Sequence, residues 1–272
     1  MPQAFPPNLG SDVAAAPRLQ WRDRAGVSPA SRTSALGPRN TACRRGLLVE
    51  VGVMLTRAGQ FSDAERRAVY RAIYERRDVR ARFLADPIPD EVLSRVLDAA
   101  HHAPSVGFMQ PWRFILVREA RAAVRALFLE ANAEAEQRFE GNRRALYRSL
   151  KLEAIVEAPL NVCVVCDGST ERGFGLGRST MPETALYSTV CAVQNLWLAA
   201  RAEGLGVGWV SILDPDALRK LLAVPEHATI VAYLCLGFVE GFDERPQLET
   251  SGWEQRAPLR DLIYSERYGV ET

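Results

Sequence analysis

The chain has 272 residues, 47% of them hydrophobic, and a formal net charge of +1 at pH 7. This length provides for a substantial core in one large domain or two small ones, and the near-neutral charge lacks the basic excess of a general nucleic-acid binder. No apolar run reaches the roughly eighteen residues that a membrane-spanning helix needs, so the sequence predicts neither a nucleic-acid nor a membrane partner.

Residues 1–53 differ from the rest of the chain, because they are rich in Ala, Pro, Gly and Arg and show no hydrophobic periodicity. Their arginines and few acids are compatible with a transit peptide, whereas scattered prolines and the lack of an amphipathic stripe argue against one. We predict that residues 1–53 are a disordered or dispensable extension, and that the functional domain spans residues 54–272, starting from Met54.

The first organised segment opens with a capping box, in which Ser62 and Glu65 begin a predicted helix. An arginine-rich segment stands at the end of that helix; we call it the arginine segment, and it consists of Arg76, Arg77, Asp78, Val79 and Arg80. While the helix lasts, Arg76 and Arg80 are expected to share one of its sides. Forked guanidinium groups suit a phosphate. The segment is therefore a candidate anion site, and the alternative is a solvated basic helix end.

A second helix is predicted to end before Pro104, because the residue ahead of a proline disfavours the helical region. It leads through a loop, residues 105–110, into a strand over residues 113–117. The long polar stretch of residues 119–157 is predicted to form two helices broken near Gly141. It holds few large apolar side chains, so we interpret it as a surface excursion or lid.

The five cysteines are few, odd in number and mostly set in apolar runs, which is typical of a reducing, cytoplasmic compartment rather than of a disulfide framework. Cys163 and Cys166 form a Cys-x-x-Cys inside a predicted strand, where residues three apart point to opposite faces. No second Cys or His pair completes a zinc set. Both cysteines are therefore predicted core residues.

Two glycine-rich segments, residues 173–177 and 204–208, show glycine spacings like those of dinucleotide-binding loops. The first follows a strand but opens no predicted helix, and the second follows a helix and enters a strand. Neither segment is therefore interpreted as a dinucleotide-binding fingerprint.

The helix predicted over residues 183–203 is apolar on nearly all sides, so we expect a central core helix buried all round, or a subunit interface. Strands are predicted over residues 207–213 and 229–239, with a short helix capped by Asp214 between them. Helices and strands mix without strict alternation, which favours an α+β sandwich over a doubly wound sheet.

From about Phe61 to Gly269 the chain resembles the nitroreductase-type flavoprotein superfamily, and most of all the branch of it that consumes reduced flavin. The matching segments are Arg76–Arg80, Ala103–Trp112, Ser149–Glu153, Leu186–Trp197 and Gly206–Ser211. The resemblance implies a three-layer α+β sandwich, with a central mixed sheet packed by helices and a helical lid. It also implies a homodimer.

The resemblance further implies a site for flavin mononucleotide (FMN). The whole arginine segment would grip the phosphate and ribityl chain, and Arg256 in the tail would add another cation. Ser105 would touch the flavin, and Leu150 would close over its ring. Plain alternatives stay open, namely a surface charge for Arg256, a loop cap for Ser105 and simple lid packing for Leu150.

Asp78 and Ser211 are the catalytic residues that the resemblance implies. A carboxylate beside a phosphate site loses Coulomb energy unless cations offset it, so Asp78 indicates a task beyond binding, such as taking a proton near the ribityl carbons. Ser211 would hydrogen-bond the flavin edge. The alternatives are a salt bridge from Asp78 to Arg77 or Arg80, and a strand-end serine satisfied by the backbone.

The activity that the resemblance implies is the oxygen-dependent fragmentation of reduced FMN to 5,6-dimethylbenzimidazole, dialurate and erythrose 4-phosphate, which supplies the lower ligand of cobalamin (vitamin B12). Reduced FMN and O2 would both be consumed, no metal would be required, and a separate NAD(P)H-dependent flavin reductase would supply the reduced FMN. Two alternatives stay open: an NAD(P)H-dependent nitroreductase or quinone reductase with bound FMN, and a non-catalytic flavin carrier or sensor.

Overall fold

The structure, a computed structural model, describes residues 59–270, and the extension predicted over residues 1–53 lies outside them. The α-helices of the described part are α1 (Asp63–Glu75), α2 (Asp90–His101), α3 (Arg121–Glu136), α4 (Gly141–Ser149), α5 (Thr184–Ala202), α6 (Pro215–Leu221) and α7 (Gln247–Thr250). Its strands are β1 (Trp112–Val117), β2 (Leu160–Asp167), β3 (Leu205–Val210) and β4 (Ala228–Phe238). Within residues 59–270, no helix combines the length and the apolar character needed to span a bilayer.

The four strands form one antiparallel sheet in the order β1-β2-β4-β3. This confirms the α+β prediction, with one correction to the expected mixed sheet. In the described part of the chain, the parallel component is a single bridge between Asp78 and Val207. The sheet is antiparallel otherwise, because the arginine segment runs beside β3 for one bridge only and does not extend into a fifth strand.

Helices cover both faces of the sheet, which confirms the three-layer sandwich. On one face α2 and α5 pack on the central strands through fully buried side chains such as Val96 and Leu196. On the other face α3 and α6 contribute Val124, Phe128 and Leu218 to a second core cluster. Of the stretch interpreted as a lid, α3 is thus a layer of the core, whereas α4 buries only Tyr147.

In the single chain α5 is not buried on all sides, so the prediction of a central core helix is wrong, whereas the alternative, a subunit interface, stays a prediction. One face packs on the sheet, but Leu186, Tyr187 and Val190 are exposed. Helix α1, which packs on α5, has no buried residue. We call the exposed apolar side chains of the two helices the α1–α5 surface; they are Val69, Tyr70, Ile73, Tyr74, Leu186, Tyr187 and Val190. Exposed apolar patches of this kind mark interaction sites.

The Cys-x-x-Cys pair lies in β2, and its two side chains enter different core clusters, as predicted. Cys163 packs in the cluster beneath α3 and α6, whereas Cys166 packs beside Met109 and Ala185. Both are free thiols, and burial raises the pKa of Cys163 to about 12. They are core side chains.

Glycines hold two loops together at a contact that we call the glycine interlock, formed by Gly107 and Gly173. Both have positive φ, and a Cβ on Gly173 would lie 2.3 Å from the carbonyl oxygen of Gly107. A Cβ on Gly107 would in turn lie 2.8 Å from the carbonyl oxygen of Leu176. Only glycine fits such positions. Segment 173–177 therefore packs against loop 105–110 and opens no α-helix.

Candidate active site

The arginine segment is extended and not helical. Helix α1 ends at Glu75, and Arg76 already has φ −62° and ψ 137°. The amide of Val79 then donates to the carbonyl oxygen of Val207 in β3 at 2.9 Å. The expectation that Arg76 and Arg80 share a side of a helix is wrong, because this hydrogen bond to β3 holds the chain in an extended conformation.

A glycine in β3 allows the arginine segment to lie against the strand. A Cβ on Gly208 would lie 2.1 Å from the carbonyl oxygen of Val79 and 3.8 Å from Oδ1 of Asp78. Real Cβ atoms essentially never approach within 3.0 Å, so any other residue at position 208 would push the segment away. The glycine thus sets the distance between β3 and the Asp78 carboxylate.

Both carboxylate oxygens of Asp78 have partners. Oδ1 accepts a hydrogen bond from the amide of Trp209 at 2.9 Å, and Oδ2 forms an ion pair with Arg80. The side chains of Asp78 and Arg80 are 30% and 14% exposed, so the pair is partly shielded from water. The salt bridge weighed as an alternative for Asp78 is therefore present, and the catalytic role of Asp78 stays a prediction.

The other arginines differ in what holds them. Arg77 donates to the carbonyl oxygens of Tyr74 at 2.8 Å and of Arg76 at 2.7 Å, and also to that of Glu244. Among the residues that the structure describes, the Arg76 side chain has neither a hydrogen bond nor an ion pair, and its guanidinium carbon lies 4.8 Å from the ring centroid of Trp197. Arg76 is thus the member of the arginine segment whose whole guanidinium group has no partner in residues 59–270, whereas Arg77 and Arg80 pair other donors and each keep a buried Nε without a partner.

Positive charge is concentrated around Arg76. Burial lowers the pKa of Arg76, the Asp78 carboxylate opposes that effect, and the positive charges of Arg77 and Arg256 lower the pKa further. Arg256 is exposed, yet it lies near enough to the arginine segment for its charge to act there. A half-buried cation among like charges is stabilised when an anion binds. The tail arginine and Arg76 therefore fit a phosphate group.

The cavity beside the arginine segment is small. It has a volume of ≈ 100 Å³, and residues 77–82 line it together with Gly241, Asp243 and Gln247. Sites for cofactor-sized ligands usually measure about 300–1,000 Å³. The cavity can therefore hold a small group but not a flavin ring, and neither Arg76 nor Arg256 lines it. In residues 59–270, no cluster of His, Cys, Asp and Glu side chains is placed to hold a metal ion.

Ser105 caps its own loop. Its hydroxyl accepts a hydrogen bond from the amide of Gln110 at 3.1 Å, and the amide of Val106 donates to the hydroxyl of Ser188 at 3.1 Å. The loop-cap alternative is therefore present, and contact of Ser105 with a flavin stays a prediction. Loop 105–110 is therefore held by these two hydrogen bonds and, at Gly107, by the glycine interlock.

Leu150 and Ser211 line cavities other than the one beside the arginine segment. Leu150, at the end of α4, lines a cavity of ≈ 300 Å³ with polar residues that include Arg125 and Glu153. Ser211 is exposed, just beyond β3, and lines a cavity of ≈ 440 Å³ with residues at the end of α3 and the start of α6. In one chain Arg76–Arg80 thus lie together, the charge of the exposed Arg256 acts on Arg76, and Leu150 and Ser211 line separate cavities.

Sequence reasoning missed three residues that hold the arginine segment, namely Trp197, Gly208 and Trp209. Trp197 has one signal in the sequence. It is a tryptophan in a helix predicted to be buried, and a buried indole N–H usually has a partner. Gly208 has none, because the close approach of Val79 depends on the fold.

Comparisons with known proteins agree with this architecture. The sequence model of the Nitroreductase family matches residues 73–238. The 5,6-dimethylbenzimidazole synthase of Rhodospirillum rubrum is 46% identical over 205 residues, which cover 74% of this chain and 97% of that protein. The 5,6-dimethylbenzimidazole synthase of Rhodobacter capsulatus is 42% identical over 200 residues, which cover 73% of this chain and 96% of that protein.

A solved structure has the same fold at lower identity. The crystal structure of oxidised iodotyrosine deiodinase bound to FMN and 3-iodo-L-tyrosine superposes with a TM-score of 0.57 at 22% identity. The match covers 74% of this chain and 99% of that one. At this identity the likeness shows the fold alone.

Proposed function

The chain belongs to the Nitroreductase family, and we propose that within it the chain is the enzyme that fragments reduced FMN with O2 to 5,6-dimethylbenzimidazole, dialurate and erythrose 4-phosphate. The observation that carries the proposal is the similarity to the synthase of Rhodospirillum rubrum, which extends over nearly all of that protein. FMN is then a substrate, which supplies both the ring and the ribityl carbons of the products. The lower ligand of cobalamin is the product's destination, and a separate NAD(P)H-dependent flavin reductase supplies the reduced FMN.

The arginine segment and the tail position the phosphate in this proposal. Arg76 offers donors that no described residue occupies, and Arg256 adds a second cation. Charge-assisted hydrogen bonds from forked guanidinium groups are among the strongest that a phosphate can accept. The main-chain amide of Val79 anchors this end of the site to β3, and the side chain of Arg77 anchors it to the carbonyl oxygen of Glu244.

Asp78 is the proposed general base near the ribityl chain. The amide of Trp209 and the guanidinium of Arg80 use one acceptor position on each of its oxygens. A carboxylate has about four such positions, so Asp78 can receive a proton while it stays held. General-base catalysis of this kind contributes about 10²–10⁴-fold to a rate. Ser211 and Ser105 would supply hydroxyl groups to the flavin, and Leu150 would cover its ring.

A homodimer completes the site in this proposal. The cavity beside the arginine segment is too small for a flavin ring, and the α1–α5 surface leaves aromatic and aliphatic side chains in water. Exposed apolar patches of this kind mark interaction sites. A second copy of the chain on the α1–α5 surface would bury these side chains and add a wall for the ring. The cytoplasmic location stays a prediction that rests on cysteine usage.

The test supplies the purified protein with chemically reduced FMN and O2, and looks for 5,6-dimethylbenzimidazole by mass spectrometry. The expected result is formation of this product with loss of FMN, and no product in an anaerobic control. Rapid NAD(P)H oxidation with intact flavin would instead identify an ordinary nitroreductase or quinone reductase. Flavin that stays bound and chemically unchanged in air would identify a carrier. Either of these two outcomes would contradict the proposal.

A further inference from the structure

We infer that Trp197 is a positioning residue for the phosphate-binding arginine: it fixes the main chain at Arg77 and supports the guanidinium of Arg76 without neutralising it. The inference deepens the proposed function and rests on it, because it takes the arginine segment as the site of the FMN phosphate. Trp197 itself touches neither the phosphate nor the reacting atoms.

The indole N–H of Trp197 ties helix α5 to the arginine segment. Trp197 is only 7% exposed, and its Nε1 donates to the carbonyl oxygen of Arg77 at 3.2 Å. Arg77 lies between the end of α1 at Glu75 and the bridge that Asp78 forms with β3. The hydrogen bond therefore fixes a stretch of backbone that lies outside helix and sheet.

The ring face of Trp197 supports Arg76. The guanidinium carbon lies 4.8 Å from the ring centroid, within the range of a cation–π interaction. Arg76 is partly buried, and the positive charges of Arg77 and Arg256 act on it. A cation in such surroundings is commonly stabilised by a carboxylate. Arg80 has such a carboxylate in Asp78, and its donors are partly used by it. A ring face stabilises the charge of Arg76 and leaves its N–H groups available to phosphate.

Trp197 also connects the phosphate end of the site to Asp78. Its ring packs against that of Trp209, with centroids 6.3 Å apart. The amide of Trp209 is the group that holds Asp78 at 2.9 Å. One buried indole thus contacts Arg76 and Arg77 on one side and the residue that anchors Asp78 on the other.

The test compares FMN with riboflavin, two flavins that differ only in the phosphate, by fluorescence titration of the full-length protein. Trp197→Leu removes both the ring face and the N–H, and is expected to weaken FMN binding roughly tenfold. Riboflavin has no phosphate for Arg76 to bind, so its affinity is expected to stay within about twofold of the wild-type value. Twofold is about the deviation found between sites that act independently. Trp197→Phe keeps a ring for Arg76 and loses the N–H, so its loss of FMN affinity is expected to be about threefold.

A double-mutant cycle separates positioning from general packing. If Trp197 acts through Arg76, then Trp197→Leu adds no further loss of FMN affinity in an Arg76→Gln background. Equal losses for both flavins, or losses that add in the double variant, would mean that Trp197 is a packing residue and would overturn the inference. Should Trp197→Leu not fold, Trp197→Phe supplies a cycle for the N–H alone, and its smaller loss of FMN affinity is likewise expected to vanish in the Arg76→Gln background.

The wild-type protein distinguishes this inference from the proposed function. A wild-type protein that binds FMN no more tightly than riboflavin would have no phosphate site at the arginine segment, which would overturn both. A wild-type protein that prefers FMN, and whose Trp197 variants keep the whole preference, would overturn the role of Trp197 alone.

Discussion

The close approach at Gly208 makes a sharp prediction for the variant Gly208→Ala. A Cβ at this position would lie 2.1 Å from the carbonyl oxygen of Val79, whereas ordinary contact begins at 3.4 Å, so the two chains have to separate by about 1.3 Å. The hydrogen bond from Val79 to Val207 is 2.9 Å long and cannot survive that separation. The carboxylate of Asp78 would move with the segment, away from the amide of Trp209.

The expected effects follow from that displacement. A misplacement of about 1 Å in a reacting group can cost roughly 10²-fold in rate, so the formation of 5,6-dimethylbenzimidazole should fall by about that factor. Overpacking by one methyl group should destabilise the fold by about 1–3 kcal/mol. Product formation from reduced FMN and urea denaturation measure the two effects separately.

Gly168→Ala is the matched control, because nothing lies within 4 Å of a Cβ there and its φ is not positive. We expect its stability to stay within about 0.5 kcal/mol of the wild type and its rate to be unchanged. A Gly208→Ala protein with full rate and wild-type stability would show that the arginine segment does not need its contact with β3.

Asp78→Asn keeps an acceptor for the amide of Trp209 but removes the base, so the rate should fall at least about 10²-fold while FMN still binds; a full rate in product assays would remove that role from Asp78. Tyr74→Glu places a charge on the α1–α5 surface and should shift the protein from dimer to monomer in sedimentation, with unchanged circular dichroism; a variant that sediments as the wild type does would speak against this interface. Glu153→Ala removes the acceptor of the buried Ile155 amide, 2.7 Å away, and the partner of Arg125, so it should cost about 1–3 kcal/mol in urea denaturation, whereas the exposed Glu130→Ala should cost little. Cys163 has its pKa raised to about 12 in the folded state, above its unfolded value, so its contribution to stability is complete below pH ~8.5 and declines as pH rises towards 12; the stability advantage of the wild type over Cys163→Ala should narrow across that range.

The sequence predicts where helices begin and end, but it does not predict whether an apolar helix face contacts the same chain or lies on the surface. The capping box at Ser62 and the proline at position 104 mark helix ends by local chemistry, and both ends lie within a few residues of the prediction. Helix α5 shows the opposite case. Its apolar residues predict burial, but hydrophobicity does not distinguish contact with the same chain from contact with another one, and Leu186 and Tyr187 face outward.

The candidate site was predictable in composition but not in conformation. Clustered arginines around Asp78 predict an anion site from charge and side-chain shape alone. Whether the helix continues through Arg76 depends on a hydrogen bond to Val207, far along the chain, which no local pattern encodes. The support from Trp197 is likewise a tertiary contact, since a buried tryptophan in an apolar helix looks the same whether or not its N–H has a specific partner.

The glycine interlock has a consequence for protein engineering. Because the backbone of Gly173 touches that of Gly107, neither loop has its shape independently of the other. A chimera that received loop 105–110 from a relative would keep this shape only if segment 173–177 came from the same donor. For recombination and directed evolution, the two loops are a single inherited module, although they are distant in the chain.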